Sequence, residues 1–254
     1  YYSLCWNEEK ILPFVLDYYS SFCGKLLIMD NESDDNSISI IESYKNAQVQ
    51  SYSSKDEIRD DLYLEIKNNI WKQSKGKADW VIVCDIDEIL YHPNLEEVLK
   101  RIKKEGYSII KPYGFDMYSR SFPQKSLFEV RTGVADFRHL RKCIIFDPNL
   151  IDEINFKAGC HKCYPLGKVK IYSDPNFKLL HYKNLDLDYL LFRNRRFKER
   201  LSQFNIENKL GKHYLIEEQN IASKYEENIR KAFDVFLWKP KSILNSFFRF
   251  FATK

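Results

Sequence analysis

"DWVIVCDIDEILYHP", residues 79–93, is the stretch on which the fold depends. An apolar run from Trp80 to Cys84 stops at Asp85, a second carboxylate follows at Asp87, and Glu88 stands beside it. The run reads as a buried strand, and carboxylates at the mouth of such a strand lose hydration that something else must replace. A cation, a partner charge or a substrate can do so.

Working outward, strand and helix patterns alternate in front of this stretch. Residues 1–6 read as a strand, 7–22 as a helix, 24–30 as a strand, 37–45 as a helix, 47–53 as a strand and 57–76 as a long amphipathic helix. Asn7 is expected to N-cap the first helix, with Glu8 and Glu9 in its first turn and Pro13 shortening or bending it. Gly76 closes the third helix as a C-cap. Four such alternations predict an α/β fold with a mostly parallel sheet covered by helices on both faces. Ligands of such sheets bind beyond the carboxyl ends of the strands, where Asn7, Asp30 and Asp85 all fall. Past Asp87 come a helix over 94–106, short strands at 107–115, 126–132, 141–146, 167–173 and 177–183, and helices over 186–204, 217–238 and 242–251. The expected division is one domain, 1–215, with a C-terminal helical extension, 216–254.

Composition bounds the function. The 254 residues hold 40 Lys and Arg against 36 Asp and Glu, a net charge of +4 that is too even for a nucleic-acid binder. No signal peptide or apolar stretch of membrane-spanning length is visible, so a reducing cytosol is expected. Cys5 and Cys84 lie in apolar runs and read as buried thiols. Cys160 and Cys163 have a C-x-x-C spacing but no second pair, which argues against structural zinc. "RNRRFKER", 193–200, reads as a solvated helix face or a phosphate-attracting one. "FLWKPKSILNSFFRFFATK", 236–254, interleaves aromatics with Lys and Arg, so the C-terminal helices are expected to touch a membrane or a second subunit.

Asp85 and Asp87 alternate across a strand end, a placement that suits a hard divalent cation shared with substrate phosphates. At this point the sequence resembles the GT-A glycosyltransferases related to family 2, in a bacterial and viral branch. The resemblance rests on "WNEE" after the first strand, "IMDNESDDNS" after the second and "CDIDE" after the fourth. "GFDMYS", "GCHKCYPLG" and "LLHYKNLDLDYLLFR" extend it to about residue 215. It implies a GT-A, Rossmann-like sheet and transfer of a sugar from a nucleotide-diphosphate-sugar donor to a glycan or lipid-linked hydroxyl, with inversion, at the inner face of the membrane. Asn7, Glu8, Asp30, Asn31, Ser33 and Asp34 would border the nucleotide. Asp85 would touch ribose or metal, Asp87 and His181 would complete the shell of Mn2+ or Mg2+, and Lys183 would reach the diphosphate. His161 would shape the acceptor pocket and Asp116 would be the base, with Asp136, Asp152 and Glu153 as alternatives. An Asx-rich turn is the ordinary explanation for "NESDDN". Two rival activities are a haloacid-dehalogenase-type phosphatase, which normally continues its D-x-D with Gly-Thr or Gly-Val, and a non-catalytic carbohydrate-binding scaffold.

Overall fold

The computed structural model describes residues 1–240. The first third alternates as the sequence predicts: β1 (Tyr2–Cys5), α1 (Leu12–Ser20), β2 (Leu26–Asp30), α2 (Ser37–Glu42), β3 (Ala47–Ser51), α3 (Asp60–Asn69) and β4 (Val81–Ile82). Strands β1, β2 and β3 pair in parallel. A parallel bridge from Tyr2 to Val83 ties the β4 segment to β1. Every residue of β2 is buried, as a strand covered on both faces requires. From α1, Leu12, Val15, Leu16 and Tyr19 enter the same core as Leu26 and Ile28.

The later elements are β5 (Glu88–Tyr91), α4 (Leu95–Lys104), β6 (Ile109–Ile110), β7 (Tyr113–Tyr118), β8 (Thr132–Ala135), β9 (Ile145–Phe146), β10 (Ile151–Glu153), β11 (Leu166–Gly167), β12 (Ile171–Tyr172), β13 (Lys178–Asn184), α5 (Leu187–Glu199), α6 (Gln203–Glu207), α7 (Glu218–Lys231) and β14 (Phe233–Asp234). One sheet runs β12-β6-β9-β4 and another β14-β8-β7-β13-β5. Both mix directions: β13 is parallel to β7 but antiparallel to β5, and β9 is antiparallel to β4 and β6. The chain is thus a mixed α/β fold with an all-parallel sheet in its first third and mixed sheets after it, in which β12 pairs with β6, and β13 with β7, in parallel.

Several local expectations change. Helix α1 begins at Leu12, because Asn7 takes a left-handed φ of 54° and Pro13 occupies the first turn, where its missing N–H costs nothing. Asn7 is therefore not a helix cap. Helix α3 tightens into a 3-10 turn, Ile70–Ser74, and Gly76 follows at φ 72°. Residues 127–129 form a 3-10 turn instead of a strand, since Ser126 Oγ accepts from Phe128 N at 3.2 Å.

The helix expected to reach 238 stops at Lys231, and residues 233–234 pair with β8 instead. Packing does not break at 215. Helix α7 lies against α5 and β8, Asn228 Nδ2 donates to Tyr118 Oη at 2.6 Å, and Val235 is fully buried. The helix expected over 242–251, and the membrane or subunit contact assigned to it, lie outside the described residues. Among the described residues no helix is long and apolar enough to cross a membrane.

Candidate functional site

The two acids of the D-x-D are held by different partners. Asp85 lies over two buried lysines. Lys67 Nζ from α3 bonds its Oδ1, and Lys142 Nζ is 3.5 Å from its Oδ2. Lys142 also donates to Glu88 Oε1 at 2.5 Å, and the Asp85 N–H donates to Glu88 Oε2 at 3.3 Å. Side-chain exposure is 8% for Lys67, 3% for Lys142 and 1% for Glu88, whereas Asp85 keeps 40%. Burial alone would raise the Asp85 carboxyl, but Lys67 and Lys142 overrule it and hold it below the usual carboxylate range.

Asp87 faces the other way. Arg193 Nη1, from α5, donates to its Oδ2 at 2.9 Å, and His181 Nε2, from β13, is 3.5 Å from the same oxygen. The second guanidinium nitrogen of Arg193 reaches Glu8 Oε1 at 2.5 Å, and Tyr189 Oη donates to Glu8 Oε2 at 3.4 Å. One Arg therefore bridges the loop after β1 to the loop after β4. Burial raises the Glu8 carboxyl against the pull of Arg193. Burial works the same way on Asp87, but His181 and Arg193 keep that carboxyl well below its ordinary range.

Strand register sets the rest. His181 is the cross-strand partner of Asp116 on β7 and of Glu88 on β5. Its Nδ1 is 2.8 Å from Asp116 Oδ1, and Lys183 Nζ, two residues on, is 3.6 Å from the same oxygen. Burial would lower the His181 pKa, yet Asp87 and then Asp116 raise it to about 9. Against burial, Lys183 and His181 hold the Asp116 carboxyl at about 2. A carboxylate so acidic is a weak proton acceptor. Asp116, the expected base, is engaged by His181 and Lys183.

The residues expected around the nucleotide are largely occupied with one another. Asp30 is fully buried; its Oδ2 accepts from Ser33 N at 3.0 Å and its Oδ1 from Ser33 Oγ at 2.6 Å, which closes an Asx turn. Asn31 is buried against Ser54 and Tyr63. Asn7 N donates to Ser33 Oγ at 2.9 Å, and Asn7 Nδ2 donates to Asp34 Oδ1 at 2.6 Å. Asp34, 79% exposed, is 3.3 Å from Arg196 Nη2. Asn7, Ser33 and Asp34 therefore form the rim of this loop pair, with Asp30 and Asn31 beneath it. His161 is exposed and its Nδ1 donates to the His139 carbonyl at 2.8 Å. Asp136 pairs with His139, and Glu153 with Lys72.

Three cations of the site were not singled out from the sequence: Lys67, Lys142 and Arg193. Two had a readable signal. Lys67 stands three residues after Leu64 and four before Trp71, inside an apolar helix stripe, and both neighbours pack in one core cluster. Arg193 stands four residues from Tyr189 and from Phe197, and its guanidinium lies 5.5 and 5.4 Å from their ring centres. The run "RNRRFKER" is thus neither uniformly solvated nor uniformly inward. Arg193 enters the site, Arg195 pairs with Glu218, and Arg200 is buried over Trp6 at 3.6 Å.

Whether these donors suit a divalent ion can be judged from their commitments. Among the described residues no group of three or more His, Cys, Asp and Glu converges as a ligand set. Of the expected trio, Asp87 and His181 lie together, while Asp85 is engaged by Lys67 and Lys142. The pair that remains has ligand chemistry: Asp87 Oδ1 makes no hydrogen bond among the described residues, and a carboxylate on Nδ1 is the usual second partner of a metal-binding imidazole. Mg2+ and Mn2+ sites commonly use one or two protein ligands and take the remainder from phosphates and water.

No protein-family model matches the chain, and no curated protein does. Among solved structures, it is similar to the crystal structure of S. aureus TarS 1-349, with a TM-score of 0.46 at 14% identity, covering 78% of this chain and 64% of that one. A structure of S. aureus TarS aligns with a TM-score of 0.46 at 13% identity, covering 78% and 38%. S. aureus TarS 1-349 in complex with UDP-GlcNAc aligns at 0.44 and 14% identity, covering 78% and 62%. The chain spans less than two thirds of the length of each of these structures.

Proposed function

We propose that this chain transfers a sugar from a nucleotide-diphosphate donor to a hydroxyl of a glycan or lipid-linked acceptor. One observation carries the reading. Asp87, Arg193, Glu8, His181 and Asp116 come from five separate segments and form one connected string, in which Glu8 and Asp87 lie in the loops after β1 and β4, where such sheets bind nucleotide ligands. Asp87 and His181 would hold Mg2+ or Mn2+, which supplies charge neutralisation for a leaving diphosphate. Asp116 keeps the Nε2 of His181 aimed at Asp87. Arg193 fixes the Asp87 carboxylate by its second oxygen and ties it to Glu8, so the site is preorganised before substrate arrives. Asp85, steadied by its two lysines, offers its exposed edge to a ribose hydroxyl. Asn7, Ser33 and Asp34 border the nucleoside over the floor made by Asp30 and Asn31. Lys183 is free to swing from Asp116 toward a phosphate, and His161 lies on the acceptor side.

A thermal-shift screen of nucleoside diphosphates and nucleotide sugars, with and without Mn2+, tests this. Stabilisation by one nucleotide series that needs the cation and is lost in Asp87→Ala is expected. No nucleotide response, or release of phosphate from simple phosphoesters, would overturn it.

A further inference from the structure

Away from the Asp87 site, residues 154–173 depart from the charge balance of the rest of the chain. This segment carries Lys157, Lys162, Lys168 and Lys170 and not one Asp or Glu. All four lysines are exposed, and the lysines that form ion pairs among the described residues are others. Between them stand Tyr164, Leu166, Val169 and Ile171, at 58%, 57%, 41% and 48% exposure. Four large apolar side chains left in water within eight residues mark a contact surface.

The segment is built, not loose. Ile151 pairs with Gly167 and Glu153 with Leu166. At Gly167, φ is 116°, and a Cβ would lie 2.4 Å from the Leu150 carbonyl. Only glycine allows that approach. Lys170 N donates to Ser108 Oγ at 2.8 Å, and Ile171 and Tyr172 pair with β6. The base of the segment is fixed beside the site, because Phe156 N donates to Asn68 Oδ1 at 2.7 Å, next to Lys67. A contact made by this surface loses little ordering entropy.

We propose that residues 154–173 dock the protein on an anionic lipid bilayer, with Tyr164, Leu166, Val169 and Ile171 entering the headgroup layer and the lysines facing lipid phosphates. Two arguments select this occupant. Protein interfaces are depleted in lysine, whereas lysine interleaved with apolar side chains is the composition of interfacial membrane segments. A second copy meeting the same face across a two-fold axis would oppose lysines to lysines. The docking goes beyond the proposed transfer and does not depend on it.

The test is co-sedimentation of the full chain, without nucleotide, on phosphatidylcholine vesicles with and without phosphatidylglycerol. The parent should bind the anionic vesicles and lose binding as salt is raised. Lys162→Glu/Lys168→Glu should weaken this at least ~25-fold, from roughly fivefold per lysine. Leu166→Ser/Ile171→Ser should also weaken it, with the thermal midpoint of both variants unchanged. Three results would overturn the proposal: equal binding to neutral vesicles, parent-like binding by both variants, or a parent dimer in light scattering that Leu166→Ser/Ile171→Ser abolishes.

Discussion

Asp85 and Asp87 lie one residue apart, yet one sits on a cage of buried lysines and the other in a string of alternating charges. Around Asp85, the buried ammonium groups of Lys67 and Lys142 have only Asp85 and Glu88 as acidic partners among the described residues. Around Asp87, each cation has a second acid: Arg193 keeps Glu8, and His181 keeps Asp116. The two carboxylates of one triplet therefore stand in different charge environments. Removing Lys142 strands the buried Glu88 carboxylate, whereas removing Asp87 leaves Arg193 and His181 each with an acid.

Four single substitutions and one double bear on this contrast. Asp87→Ala should reduce transfer at least about a hundredfold, while its urea midpoint stays near the parent because Arg193 and His181 remain paired. Equal losses of activity and stability would erase the distinction between the two acids. Lys142→Met should cost about 3–5 kcal/mol in urea unfolding, because it leaves the Glu88 carboxylate buried without its cation. The double change Lys142→Met/Glu88→Leu should recover most of that loss, and a cost confined to activity would place Lys142 in the chemistry instead. Asp116→Asn keeps a hydrogen-bonding group beside His181 but not the charge, so affinity for Mn2+ by titration should fall roughly 10- to 100-fold. The smallest effect is expected for Arg193→Lys. A single ammonium cannot bond Glu8 and Asp87 in the planar geometry of the guanidinium, and transfer should drop roughly tenfold, about 1.4 kcal/mol.

What the sequence revealed follows the same divide. Asp85 and His181 stand out in the sequence because each ends an apolar run, and Asp87 because it follows Asp85 at strand spacing. The parallel first third was readable from its periodicity. The cage was hidden because lysine ordinarily lies in water, so Lys67 in its apolar stripe was passed over and Lys142 had no stripe at all. Arg193 was submerged in a run of charges. The tasks of Asp30 and Asp116 depended on turn closure and strand register, which sequence spacing does not report. The same holds for the end of the described chain, where a helical pattern gave way to pairing with β8.

That last pairing has a consequence for biosynthesis. Residues 233–234 leave the ribosome after every other strand of their sheet, and they cover the outer edge of β8, the neighbour of the strand that bears Asp116. Until they emerge, the nascent chain presents an open hydrogen-bonding edge one strand away from Asp116. Any product terminated upstream of Phe233 keeps that edge uncovered and is prone to pair with its own kind.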